Sequence, residues 1–128
     1  MTSVLVVFFG AGIGGVFRHL MNIGGVRLFG FLDFPAITMV VNVLGCFTMG
    51  VFTSWFAQRA GMPFSQPLRL FLTTGMLGGF TTFSTFSLEF AVLVERGDHV
   101  NAAIYALGSL VLCLVAVFAG LTLMRAIS

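Results

Sequence analysis

A run of ten residues, Gly78-Gly79-Phe80-Thr81-Thr82-Phe83-Ser84-Thr85-Phe86-Ser87, lies in the middle of an apolar segment, residues 68–94, that otherwise reads as a membrane span. Glycine costs helix stability, and Thr and Ser offer the backbone competing hydrogen bonds. The run therefore weakens a helix at a depth where an unpaired N–H or C=O costs several kcal/mol. Such a break is tolerated only when buried in protein or lining an aqueous path. The segment is centred on Thr81, so the interruption falls near the bilayer midplane, where the broken helices of channels and transporters place their ion sites. The expected business of the chain is ion permeation.

Composition agrees with that class. Of 128 residues, 59% are hydrophobic and 8% charged, against about 25% charged in an ordinary soluble domain. Three further apolar blocks stand beside the broken one, at 4–22, 36–57 and 102–124, the last without a single charge. At about 1.5 Å per residue, each reaches across a hydrocarbon core of about 30 Å. The expected architecture is all-α and integral to the membrane. It is one domain, 1–128, of four transmembrane helices spanning about 4–25, 36–57, 68–94 and 100–124, with the third broken at mid-membrane. The first block lacks the basic n-region of a signal peptide and is read as a retained span. Gly24-Gly25, the stretch from Gly30 to Pro35, Gly61-Met62-Pro63 and Glu95-Arg96-Gly97-Asp98-His99 punctuate the connections. Gly10 with Gly14, and Ala116 with Gly120, offer small-xxx-small faces for close helix contact. Trp55, near the end of its span, suits an interfacial anchor.

All six basic residues are Arg. With four spans both termini share a side, which carries Arg59, Arg69 and Arg125; the other carries Arg27 and Arg96, with Arg18 near the same end of its span. Orientation follows the Lys/Arg bias, and three against three gives almost none. A subunit inserted both ways can pair antiparallel with itself, the pair then supplying the inverted repeats that longer transporters encode in one chain. Cys46 and Cys113 lie inside spans with no CxxC and no nearby His, so neither a metal site nor a disulfide framework is expected from them, only packing.

The ten-residue run followed by Glu89, together with Gly10 to Arg18, Thr38, Asn42-Val43-Leu44-Gly45 and Gly108-Ser109, resembles the Fluc fluoride channels, also called CrcB-type proteins, over all four spans. The resemblance implies an antiparallel dual-topology homodimer in the bacterial inner membrane. It also implies passive, F⁻-selective export from the cytoplasm, two pores per dimer, and a structural Na⁺ at the dimer centre held by backbone carbonyls. Gly78 and Thr81 match the carbonyl donors. The implied partners are a second copy, fluoride and lipid, with no nucleic acid. One departure is Ile37, where relatives often have Gly.

Phe83 and Phe86, three apart, fall on one helix face, where the positive edges of their rings suit an anion path; among 16 Phe the same spacing also serves bundle packing. The Asn42 amide has N–H groups for an anion, or for an interhelical bond, and Thr38 lies one turn earlier on the same face. Ser84 and Thr85 add hydroxyls beside the break. Tyr105 and Ser109, four apart, match hydroxyl positions of the family's pore, or serve as an interface anchor and a helix–helix bond. Arg18 either snorkels or gives a vestibule positive potential. Glu89 either orients hydroxyls at the far end of the pore or, as an anion, opposes fluoride unless protonated or paired. The competing function is a small antiparallel proton-coupled multidrug exporter, which needs a carboxylate deep in its substrate site; the first span has none. No Ser/His, paired-Asp or HExxH arrangement suggests an enzyme.

Overall fold

The structure is a computed structural model that describes residues 2–29, 35–59, 61 and 65–127. It is all-helical among these residues, with four helices long and apolar enough to cross a membrane: Thr2–Leu28, Ala36–Gln58, Gln66–Glu95 and His99–Ile127. At 1.5 Å per residue they are about 35–45 Å long, enough for the hydrocarbon core with some tilt or overhang. The punctuation expected at 30–34 and at Met62 and Pro63 lies outside the described residues.

The third span is composite. It begins as α-helix over Ser65–Arg69, continues as π-helix over Leu70–Leu77, returns to α over Gly78–Phe80 and resumes as Phe83–Glu95. Between the two halves Thr81 (φ −83°, ψ 158°) and Thr82 (φ −151°, ψ 122°) are extended. The leading half packs on the first helix through glycine. Side chains at Gly10 or Gly14 would strike the backbone of Phe71, Gly75 and Met76, and one at Gly79 would strike Ala11. The two backbones thus approach as closely as lateral helix association in lipid favours, where small residues rather than solvent-driven burial hold helices together. The second and fourth helices meet in the same way, Gly50 against Val117 and Leu121, Gly120 against Phe47 and Val51. Gly25 leaves room for the side chain of Ile37, so the β-branched residue is accommodated by a glycine opposite.

The trailing half turns back into the fourth helix. Gly97, at φ 78°, takes the left-handed position after the helix end; its N–H bonds Val94 O and that of Asp98 bonds Leu93 O, both at 3.0 Å, the pattern of a Schellman cap. This tight corner brings Leu93, Ala102 and Tyr105 together as a small buried core, with Met39, Phe86, Phe90 and Val94 against it. Trp55 carries the Arg59 guanidinium over its ring at 4.6 Å, a cation–π contact at the end of the second helix.

Candidate functional site: the break in the third span

The break is held by the second helix. Asn42 Nδ2 donates to Thr82 O at 3.0 Å, and Thr82 N–H donates to Asn42 Oδ1 at 2.9 Å, so one side-chain amide serves both backbone groups that the helix has given up. Three residues further along the same face, Gly45 lies under the Thr81 methyl, which any side chain there would displace. The i, i+3 spacing of Asn42 and Gly45 therefore presents one polar and one open position to two consecutive broken residues. Thr81 closes the leading half, its N–H and its hydroxyl both donating to Leu77 O at 2.9 Å. Thr82 opens the trailing half as an N-cap: its Oγ1 accepts from Thr85 N–H at 3.1 Å.

These bonds take the helical donors away from the Gly78 and Thr81 carbonyls. In a continuous helix the Thr82 N–H would serve Gly78 O and the Thr85 N–H would serve Thr81 O; here they go to Asn42 and to the Thr82 hydroxyl. Neutral backbone oxygen at a helix interruption is the donor type that suits a hard monovalent cation, so the residues present fit a sodium ion without any acidic side chain.

Around the break runs a groove of about 500 Å³, walled by Asn42, Thr81, Thr82, Phe83, Phe86 and Ser109 together with Cys46, Ala106, Leu107, Leu110 and Cys113. Phe83 is 78% exposed and its ring lies 5.5 Å from that of Phe86, tilted by 44°. Ser109 Oγ is buried with no hydrogen-bond partner among the described residues. Asn42 uses one amide hydrogen on Thr82 and, having two, keeps a second. Ser84 is exposed, its hydroxyl 3.4 Å from that of Thr82.

A second cluster lies behind Phe86. The Glu89 carboxylate accepts from Thr38 Oγ1 at 2.8 Å and from Tyr105 Oη at 3.1 Å, and the Phe86 ring packs on Tyr105 at 5.0 Å. Thr38 and Tyr105 are buried, at 3% and 0% exposure. Their hydroxyl hydrogens are thus aimed at the carboxylate, and neither residue lines the groove. Arg18 is partly exposed on the first helix and is likewise absent from the groove wall. Of the site residues foreseen from sequence, Asn42, Thr81, Phe83, Phe86 and Ser109 wall the groove and Thr38, Glu89 and Tyr105 form a carboxylate knot, with Phe86 joining the two; Arg18, Gly78, Ser84 and Thr85 belong to neither. Thr82 was not foreseen as clamp and cap, nor Cys46, Ala106, Leu107, Leu110 and Cys113 as groove wall. A Thr ahead of a resuming helix is the ordinary N-cap signal, but a run so dense in Thr and Ser offers several such positions.

Residues 5–121 match the family described as CrcB-like protein, Camphor Resistance (CrcB). The chain belongs to the CrcB family. Among its relatives, a protein of Methylobacterium nodulans is 54% identical over 125 residues, covering 98% of each chain. One of Granulibacter bethesdensis is 51% identical over 125 residues, 98% of this chain and 96% of the relative. One of Beijerinckia indica is 48% identical over the full length of both. All three are named fluoride-specific ion channel FluC. Four membrane-length helices and this family make the chain a multi-pass protein of the bacterial inner membrane.

Proposed function

We propose that this chain is the subunit of a passive fluoride-selective channel. The observation that carries the reading is the groove at the break. One wall offers neutral donors, the free amide hydrogen of Asn42 and the unpartnered Ser109 hydroxyl, and the other the Phe83 and Phe86 rings. Fluoride is small and strongly hydrated, so a pore must replace its water with donors of comparable field without trapping it. Neutral donors and ring edges do this, because they attract an anion without the deep well of a fixed cation. The carboxylate knot holds Glu89 on two hydroxyls, away from the groove wall, and fixes the ring of Phe86 through Tyr105.

Two of these subunits form an antiparallel homodimer, giving two paths. The six Arg divide evenly between the sides, and the groove opens outward beside an exposed Phe83, so one subunit walls only part of it. Gly78 and Thr81 would offer backbone carbonyls to a structural Na⁺ at the dimer centre, which would satisfy oxygens that the break leaves without helical donors. The test is fluoride efflux from proteoliposomes without a proton gradient. Passive, chloride-excluding F⁻ release is expected; release only against a proton gradient would mean coupled export, and none at all would overturn the reading.

A further inference from the structure

The chain has two cysteines, and the fold brings them together. Cys46 in the second helix and Cys113 in the fourth are free and partly exposed, and both line the groove. Helix register fixes this meeting. Thr38 with Tyr105 on the shared carboxylate, Asn42 with Ser109 on the groove wall, Cys46 with Cys113, and Gly50 against Val117 are each 67 positions apart in sequence. Successive pairs climb two parallel helices by four residues, about one turn. The Gly50 contact, where a Cβ would come within 3.0 Å of Leu121 N, sets the helix separation one turn beyond the thiols.

We propose that Cys46 and Cys113 form a two-thiol site for a soft, linearly coordinated monovalent cation of the Ag(I) or Cu(I) class, and that filling it obstructs the groove. Thiolate ligands select such ions over the hard cations that carbonyl oxygen prefers. On binding, two S–H bonds break, two metal–sulfur bonds form and two protons leave to solvent, with no change of oxidation state. The neutral pair becomes a bis-thiolate complex of net charge −1, about 6 Å along the helix from Asn42 and Ser109. A fixed negative charge there repels an anion, and the metal narrows the groove.

The site is tested with silver nitrate in chloride-free buffer on the purified full-length protein, reading free thiols and the ultraviolet thiolate-to-silver charge-transfer band. One silver per chain is expected to consume both thiols. Wild-type protein should retain it against at least about tenfold more glutathione than Cys46→Ser or Cys113→Ser, because the second thiol acts at high effective concentration; the corresponding Ala variants check that the result does not depend on the serine hydroxyl. Two silvers per chain, or equal loss from wild type and single variants, overturns the site. In fluoride-loaded proteoliposomes silver should slow wild-type efflux and dithiothreitol restore it, while the double Ser variant, compared with its own untreated rate, does not respond. Undiminished efflux at full occupancy overturns the obstruction. That half rests on the fluoride-path reading, whose own failure shows as no efflux before silver is added, and the binding stoichiometry decides the site without it.

Discussion

Asn42→Ala removes the clamp on the broken span and, under the fluoride reading, one donor from the path, so two quantities should fall together. The side chain makes two hydrogen bonds to Thr82, at 3.0 and 2.9 Å. At the about 0.6 kcal/mol average for a membrane-buried bond, their loss costs about 1 kcal/mol. If the Thr82 N–H and C=O are left wholly unsatisfied, the cost rises to about 1–3 kcal/mol for each. Both residues are only partly buried, which places the expectation at about 1–3 kcal/mol in total, measured as thermal unfolding of the detergent-solubilised protein. Removing a donor from the groove should raise the barrier to anion passage by a further 1–2 kcal/mol or so, about a five- to thirtyfold loss of efflux. Asn42→Asp separates the two effects. It still accepts from the Thr82 N–H but sets a carboxylate against Thr82 O and against the anion, so efflux should fall further than in Asn42→Ala. Wild-type efflux and stability in Asn42→Ala would refute both the clamp and the donor.

Three other substitutions test neighbouring parts. Phe83→Ile and Phe86→Ile should both cut efflux; the first should shift stability by no more than about 0.5 kcal/mol because its ring is 78% exposed, the second should lose about 0.5–1.5 kcal/mol with its Tyr105 contact, and normal efflux in both would sink the ring-edge path. Glu89→Gln keeps the shape of the knot but turns an amide donor toward one of two hydroxyl donors, so a loss of about 1.5–3 kcal/mol is expected; unchanged melting would show that the hydroxyls do not depend on the carboxylate. Gly79→Val drives a side chain into the Ala11 backbone and should cost about 1–3 kcal/mol along with sodium affinity, whereas Thr81→Ser keeps both the hydroxyl bond to Leu77 and the backbone carbonyl and should leave efflux near wild type; equal behaviour of the two would argue against a backbone cation site.

The four helices were legible because apolar length alone specifies them, and the break because Gly, Thr and Ser concentrate at one depth. Its extent was not. Ten residues qualify by composition, yet only Thr81 and Thr82 leave the helix, since Asn42 and Gly45 of a different helix select which two are received. The π-helical stretch Leu70–Leu77 has no local mark either; it coincides with the backbone contact at Gly10 and Gly14, a tertiary feature. Thr38 and Tyr105 were recognisable as hydroxyls on the right faces, but direction is set by the strongest acceptor nearby, and a carboxylate inside a membrane protein claims the donors within reach. The cysteines read as packing because neither is near the other in sequence; the parallel register of the second and fourth helices is what pairs them.

That division of labour bears on how an anion could leave the groove as readily as it enters. A fixed unit charge about 4 Å from the ion would contribute about 4 kcal/mol at an effective dielectric of 20, and each 1.4 kcal/mol of extra well depth slows escape about tenfold. A single buried cation would therefore cost about three orders of magnitude in residence time. Among the described residues the groove wall carries no charged side chain. The one acid beside it is held by two hydroxyls behind Phe86, and Arg18 stands off the wall. Neutral donors, each worth about 1 kcal/mol net, can be stepped between without a deep trap. The reading predicts that placing a cation on the wall, as in Ser109→Lys, should strengthen anion binding while slowing efflux, and faster efflux in that variant would show that the path lies elsewhere.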